Sequence, residues 1–286
     1  MNGHDNDGCC SDLKEDPNVI GSSWLREDCK EFMGQNLLKA DRIKTRLGLL
    51  RIGITKAHAL KKRFPKKNVQ FLEFGVHEGK DIARMASFLH SLEEQTKSCE
   101  TKFQFHGFDS FVGLPEDWEN GQFEDEDNKM MLHKKGAFDT GGRPPNKEKL
   151  RLLVNPGNKQ SIASIDHIQF HKGWFHETLP SFLENNSEPI AFIHADADLY
   201  SSTLTVLRMV CQYKLLVKGS VIVFDEFWNY PNWENGEFKA WHEIVQNFNL
   251  ESKYEYFGYH APNPNVKQMG HYGYQSVGVL ITADMN

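Results

Sequence analysis

Two short apolar segments of the chain each end in a pair of acidic residues. One segment precedes Asp196 and Asp198, and the other precedes Asp225 and Glu226. Apolar runs of this length, bounded by polar residues, are typical of strands that are buried on both faces of a parallel sheet. Because open α/β sheets bind ligands at the carboxyl ends of their strands, we expect the four carboxylates to converge at one mouth.

Carboxylates that are held close together repel one another unless a cation or shared protons compensate their charge. Ligation by oxygen atoms alone suits a hard divalent ion such as Mg²⁺. The four acids therefore predict a magnesium site where the two strands end. For Asp198, a cap on the following helix remains an alternative.

A glycine-containing turn separates the first predicted strand from the first predicted helix. Gly75 and Gly79 stand four residues apart, which lets the backbone approach a ligand closely at a helix N-terminus. The turn lacks the third glycine of the dinucleotide-binding fingerprint. Asp109 follows the second predicted strand, where an acid can accept hydrogen bonds from ribose hydroxyls. A turn cap before Ser110 is the alternative for Asp109.

Strand-like and helix-like segments alternate along most of the chain. This alternation predicts right-handed crossovers and an α/β fold, a doubly wound, mostly parallel sheet of seven strands. Strands are predicted over 69–74, 103–108, 168–171, 190–194 and 220–224, with a closing pair at 254–259 and 276–281. Helices are predicted over about 80–94, 175–183, 202–215 and 238–248.

The chain divides into a leader, a helical extension and one large domain. Residues 1–20 are expected to be a flexible leader, residues 21–66 a helical cap or dimerisation segment, and residues 67–286 the catalytic domain. Residues 115–160 are rich in Gly, Pro and Asn and predict a lid-like insertion. The loop from Trp228 to Trp233 either stacks on an acceptor or anchors itself in the core.

Composition excludes several classes of function. The 286 residues are 39% hydrophobic and 25% charged, with a formal net charge of −6, so nothing favours nucleic acid as a partner. Five cysteines without metal-ligand spacing indicate free thiols in a reducing compartment. We find neither a signal-peptide pattern nor an apolar stretch of ~18 residues, and we expect a cytoplasmic protein without a membrane partner.

Taken together, the motifs resemble those of class I S-adenosylmethionine-dependent methyltransferases. Within that class the chain is most similar to the macrocin/mycinamicin-type, or TylF-like, sugar O-methyltransferases, over about residues 68–245. The resemblance implies a Rossmann-like methyltransferase fold and S-adenosylmethionine as cofactor. The matching stretches are Phe71–Gly79, Gly107–Pro115, His171–Pro180, His194–Thr203, Phe224–Phe227 and Gly236–Ala240.

The resemblance also assigns roles to individual residues. It implies Asp196, Asp225 and Glu226 as ligands of Mg²⁺ or another divalent cation, with Glu226 standing where many relatives have a second Asp. The residues implied to contact the cofactor are Glu73, Gly75, Val76, His77, Gly79, Asp109, Ser110, Gly173, Trp174, Phe175 and Asp196.

The expected reaction is metal-assisted methyl transfer to a hydroxyl of a sugar, polyol or phenolic compound with vicinal hydroxyls. The candidate catalytic residues are Asp196, Asp198, His194 and His271, with Lys172 as a further base. A structural, hydrogen-bonded role is the alternative for His194. Alternative functions are an NAD-dependent sugar-modifying oxidoreductase and a non-catalytic S-adenosylmethionine-binding module. A homodimer is also expected.

Overall fold

The computed structural model describes residues 27–96, 103–124, 130–154, 165–260 and 275–285. Eight strands of the described residues form one sheet. They are β1 Asp41–Ile43, β2 Val69–Phe74, β3 Phe103–Asp109, β6 Ile168–Lys172, β7 Ile190–Ala195, β8 Leu216–Trp228, β9 Tyr254–His260 and β10 Gln275–Ile281. Their order in the sheet is β1-β9-β10-β8-β7-β2-β3-β6. Strands β4 (Trp118–Glu124) and β5 (Met130–His133) form a separate antiparallel pair.

The predicted doubly wound α/β fold is confirmed, and the sheet has one strand more than the seven expected. All strand pairs in the large sheet are parallel except the two made by β10, which runs antiparallel to β8 and β9. The additional strand is β1, which pairs with β9. Its three residues, with two charged side chains, are too few to show an alternating pattern in sequence.

Helices cover both faces of the sheet. They are α1 Lys30–Phe32, α2 Arg46–His58, α3 Lys80–Thr96, α4 Lys147–Leu153, α5 Phe175–Asn185, α6 Tyr200–Gln212 and α7 Glu237–Asn247. A π-helical segment, Met33–Leu37, continues α1, and short 3-10 helices cover Glu27–Cys29, Ala59–Lys62 and Trp233–Asn235. In the described part of the chain, none of these helices has the length and apolarity that a bilayer span requires.

The side chains of β8 alternate between two apolar layers, as a strand buried on both faces requires. Val221 and Val223 join the layer that contains α2 and α3, while Ile222 and Phe224 join the layer that contains α5, α6 and α7. The central strands are therefore fixed from both sides. Their carboxyl ends form a rigid edge on which a site can be built.

Helix α2 is packed directly on the sheet. The Thr45 side chain caps it by accepting a hydrogen bond from the Gly48 N–H at 3.0 Å. At Gly53 the helix lies so close to the strands that a Cβ atom would be 2.9 Å from the Phe192 ring and 3.1 Å from Val223. This contact places the first residue of the helix, Arg46, beside the ends of β7 and β8.

The aromatic loop after β8 anchors itself in the core. Trp228 and Tyr230 are fully buried, and Trp233 is 2% exposed, all within the layer that contains α7. None of the three lines the cavity described below. Of the two interpretations of this loop, the structure therefore supports core anchoring.

We expect Gly53→Val to lower the free energy of unfolding by about 1–3 kcal/mol, because the added methyl groups overpack the contact between α2 and the sheet. The matched control is Gly34→Ala, since no atom lies within 4 Å of the added methyl group there. Urea denaturation measures both variants. Equal stability of Gly53→Val and wild type would contradict the close helix-sheet contact.

Candidate functional site

A cavity of about 720 Å³ lies at the carboxyl ends of β2, β3, β6 and β7. This volume falls within the range of small-molecule and cofactor sites. Its floor includes Gly75, Asp109, Gly173 and Asp196. The insertion supplies the opposite wall through Leu114, Glu116, Trp118, His133, Lys135 and Phe138.

The glycine turn after β2 lies against the loop after β7. Gly75 has φ +92°, and a Cβ atom there would lie 1.7 Å from the Asp196 carbonyl oxygen. Only glycine satisfies both the left-handed backbone and this close approach. The turn is thereby fixed directly to the backbone of Asp196.

Asp109 caps its own turn and also faces the cavity. Its Oδ1 accepts the Phe111 N–H at 2.6 Å, which is the turn cap, and its Oδ2 accepts the His77 N–H at 2.7 Å across to the glycine turn. The carboxylate still lines the cavity. Each carboxylate oxygen has a second lone pair, so Asp109 can also accept hydrogen bonds from a ligand.

The structure divides the implied cofactor residues into two groups. His77, Ser110, Trp174 and Phe175 line the cavity with the floor residues. The Ser110 hydroxyl is already used within its own turn, where it donates to the Gly113 carbonyl at 3.0 Å.

The other three implied cofactor residues, Glu73, Val76 and Gly79, lie outside the cavity lining. Val76 is 4% exposed and belongs to the apolar layer under α2 and α3. A Cβ atom at Gly79 would meet Leu150 at 2.6 Å, so this glycine permits close packing of α4. Glu73 is buried beneath the site, where its Oε1 lies 3.0 Å from His194 Nδ1. In this structure the three residues therefore pack within the protein around the turn rather than against the cavity.

The four acids converge as their strand-end positions predict. Ligand atoms of Asp196, Asp198 and Glu226 all lie within 4.8 Å of one another, and a second such group contains His194, Asp196 and Asp225. Asp198 adopts a left-handed backbone with φ +58° and lines the cavity. It does not act as the helix cap, because α6 is capped at Leu199 without any side-chain hydrogen bond.

Crowding and burial shift the acids of this cluster. Burial and the charges of neighbouring acids raise the pKa of Asp196 and of Glu226 well above their usual values. The same two causes raise the pKa of Asp198 to about 7. Asp225 is the exception. Burial alone would raise its pKa, but hydrogen bonds from the side chains of His194 and Glu226 and the charge of Arg46 lower it.

His194 lies beneath the site rather than on its surface. The ring is fully buried, bonded to Glu73 through Nδ1, and its Nε2 is 3.7 Å from Asp225 Oδ1. Although burial opposes the charged ring, these acids raise the pKa of His194 well above its usual value. The position favours the structural interpretation of His194 over a base that contacts substrate.

Of the two further candidate bases, one lies within the described residues. The Lys172 Nζ donates to the Gly142 carbonyl in the insertion and does not line the cavity. His271 falls outside the described residues. The carboxylates of Asp196 and Asp198 face the cavity, as do the imidazoles of His77, His133 and His176.

Sequence reasoning missed two charged residues that organise the acids. Arg46 Nη1 donates to Asp225 Oδ1 at 2.8 Å, and its Nη2 donates to Asp81. Glu237 is fully buried, and its Oε2 accepts the Glu226 N–H at 3.1 Å. A charged residue in the first turn of a helix is normally solvated, so neither position carries a periodic signal. The Thr45 cap before Arg46 was the available signal, and it marks only the helix start.

The residues present fit a divalent cation. Glu226 is only 9% exposed, and its buried Oε2 has no hydrogen-bond partner. Within the described ranges, no side chain donates a hydrogen bond to the carboxylate of Asp196 or Asp198. Buried carboxylate oxygens without partners are costly, and a hard cation is the ligand that satisfies several of them together.

The insertion is fastened to the loop that carries the acids. Leu114 and Trp118 form a small apolar cluster with Leu199, which follows Asp198 directly. The Ser201 hydroxyl donates to Glu116 Oε1 at 2.5 Å. The described part of the insertion thus lines the cavity, and its role as a lid stays a prediction.

Comparison with known proteins bears on family and fold. A family model described as macrocin-O-methyltransferase (TylF) matches residues 58–252, more than half of the chain. The solved structure of the calicheamicin methyltransferase CalS11 is 20% identical, with 95% of each chain covered and a TM-score of 0.51. An O-methyltransferase from Bacillus cereus in complex with SAH is 12% identical, covering 81% of this chain and 80% of that one, with a TM-score of 0.40. No curated protein sequence matches the chain.

We expect Gly75→Ala to destabilise the protein and to abolish binding at the cavity, because the new methyl group displaces the Asp196 backbone. Gly136→Ala is the control, with a similar φ of +82° but no atom within 4 Å of the added carbon. The control should cost only the ~1–2 kcal/mol of a left-handed alanine. Urea denaturation and calorimetric titration with S-adenosylmethionine measure the two effects. Similar losses in both variants would contradict the close approach.

The raised pKa of Glu226 predicts a pH-dependent effect of Glu226→Gln in chelator. The folded protein keeps the Glu226 proton at pH values above the unfolded pKa of 4.5. The stabilisation that comes from binding this proton is complete below pH 4.5 and is lost as the pH rises through the folded pKa. We therefore expect the variant to gain on wild type as pH rises from 4.5, by about 1.4 kcal/mol per pH unit until the folded carboxyl ionises. Urea denaturation at pH 5 and pH ~8 checks this.

Exposed Glu234 provides the control for this experiment, since Glu234→Gln changes the same type of residue close by. The stability difference between Glu234→Gln and wild type, measured at the same two pH values, is the baseline for Glu226→Gln. A stability difference between Glu226→Gln and wild type that is the same at both pH values would show that the acid cluster is not crowded as described.

Proposed function

The chain belongs to the macrocin-O-methyltransferase (TylF) family, and from that premise we propose a divalent-cation-assisted methyl transfer to a small molecule with vicinal hydroxyls. The family makes the protein an S-adenosylmethionine-dependent O-methyltransferase. It also excludes the nicotinamide-dependent oxidoreductase and the non-catalytic binding module. The cation and the acceptor class, a sugar, polyol or phenolic compound, are the proposed parts.

One observation carries the proposal. The cavity joins the glycine turn at Gly75 to three carboxylates, Asp196, Asp198 and Glu226, at the edge of a single sheet. When bound there, S-adenosylmethionine supplies a methyl group on a sulfonium, and the cation supplies Lewis acidity at the acceptor hydroxyls. Because the turn and the acids share the Asp196 backbone, donor and acceptor sites are held at a fixed spacing.

The cofactor subsite uses the carboxyl ends of β2, β3 and β6. We assign the cofactor's ribose to Asp109, whose carboxylate faces the cavity after β3. The turn that contains Gly75 and His77 would hold its methionine portion. Trp174 and Phe175, after β6, would hold the adenine. Phe175 is held edge-on by Phe74, with ring centroids 5.4 Å apart, so this wall is packed before any ligand binds.

The acceptor subsite uses the acids and the insertion. Asp196, Asp198 and Glu226 would hold the cation, which would supply Lewis acidity to vicinal hydroxyls of the acceptor. Each transfer releases one proton from the acceptor oxygen, and the carboxylate of Asp196 or Asp198 accepts it. The Trp118 and His133 rings, stacked with centroids 5.5 Å apart, help to exclude water from this half of the cavity.

We expect Asp198→Asn to lower kcat by about 10²–10⁴-fold, the usual contribution of a general base, while the affinity for S-adenosylmethionine stays the same. Asp196→Asn should also lower kcat, because its carboxylate is the other candidate proton acceptor, while the Asp196 backbone that contacts the glycine turn is kept. A panel of hydroxylated acceptors and a labelled methyl donor, with and without chelator, measures the transfer. Asp166→Asn, an exposed change away from the cavity, is the control.

Three results would contradict the proposal. Full activity in the presence of chelator would remove the cation from the reaction. Wild-type activity of both Asp196→Asn and Asp198→Asn would remove the carboxylates from proton transfer. Transfer only to acceptors with a single isolated hydroxyl would exclude the proposed acceptor class.

A further inference from the structure

Arg46 brings a permanent positive charge into the acid cluster from outside the segment that matches the family model. It is the first residue of α2, whereas the match begins at residue 58. Its Nη1 donates to Asp225 Oδ1 at 2.8 Å, and its Nη2 donates to Asp81. A planar guanidinium can satisfy two carboxylates at once through different nitrogens, which an ammonium group cannot do equally well.

The contacts of Arg46 divide the acids into two halves: Asp225, which is bonded to the guanidinium, and the group of Asp196, Asp198 and Glu226, which is not. Asp225 Oδ1 is surrounded by donors, because it also accepts from Ser276 Oγ at 3.3 Å and lies 3.7 Å from His194 Nε2. Asp196 and Asp198 form no ion pair with any basic side chain of the described residues. The partnerless Glu226 Oε2 belongs to that second half.

This division bears on where a further cation can bind. A divalent ion in the group of His194, Asp196 and Asp225 would have to approach the guanidinium that already occupies Asp225. The group of Asp196, Asp198 and Glu226 offers oxygens of the same kind with no positive side chain bonded to them. Repulsion between like charges therefore favours the second group.

We propose that Arg46 is the internal counter-cation of Asp225 and Asp81, and that it directs the divalent cation to Asp196, Asp198 and Glu226. This inference rests on the proposed function and deepens it. It differs from the ligand set that the family resemblance implies, because Asp198 takes the place of Asp225. Arg46 acts as a positioning residue, since it fixes the Asp225 carboxylate and does not line the cavity.

The test is the binding of Mn²⁺ to the full-length, cofactor-free protein, followed by calorimetry and by the electron paramagnetic resonance of free Mn²⁺. Wild type should bind one ion. Asp198→Asn should bind it about 10–100-fold more weakly, as expected for the loss of a ligand or its support, while Asp225→Asn should be little changed. The opposite order of these two variants would overturn the proposal.

Removal of the guanidinium should open the other half of the cluster. We expect Arg46→Gln to bind a second Mn²⁺, because Asp225 becomes free to join His194 and Asp196. The double variant Arg46→Gln/Asp225→Asn should return to one ion. Arg46→Lys keeps the charge and should also bind one ion, which separates the effect of charge from that of side-chain shape.

Arg84→Gln is the matched control. Arg84 Nη1 pairs with Asp81 at 3.4 Å but does not reach Asp225, so its removal should leave Mn²⁺ binding unchanged. One ion in Arg46→Gln, or no Mn²⁺ bound by wild type, would overturn the proposal. If circular dichroism shows that Arg46→Gln does not fold, the comparison of Asp198→Asn with Asp225→Asn still decides. The titrations contain neither methyl donor nor acceptor, so failure of the proposed methyl transfer is seen in a separate assay.

Discussion

The arrangement of this site depends on the electrostatic compensation of acids that the fold crowds together. Strands β7 and β8 are parallel neighbours, and both end in carboxylates at the same edge of the sheet. Their mutual repulsion must be offset inside a poorly solvated environment. Arg46 and His194 offset it most directly at Asp225, while Asp196, Asp198 and Glu226 form no ion pair with a basic side chain of the described residues.

The remaining features of the site keep that crowding in place. The close approach of Gly75 to Asp196 ties the glycine turn to the acid loop, and Asp109 ties the same turn to the end of β3. Buried Glu237 holds the backbone of Glu226 from behind. Each connection uses backbone N–H groups or a glycine. The positions of the acids therefore follow from the sheet and its turns more than from side-chain flexibility.

Much of this could be predicted from the sequence, because strand ends are visible as apolar runs that stop at acids. The seven predicted strands, the fold and the meeting of Asp196 with Asp225 all follow from that pattern. Arg46 could not be predicted, because its role depends on a tertiary contact between α2 and distant strands. Val76 shows the reverse case: a position inside a cofactor motif whose side chain packs in the core. Strand β1 was too short to give a periodic signal.

The apolar cluster of Leu114, Trp118 and Leu199 has a consequence for engineering. The segment that contains Leu114 and Trp118 packs against Leu199, the residue next to Asp198. The shape of this segment therefore depends on the residue that precedes α6. A chimera that imports this segment from another family member has to import its own residue at position 199 as well. Otherwise the contact between the imported segment and residue 199 is lost. We then expect acceptor selectivity and turnover to change together, because residue 199 follows Asp198 directly.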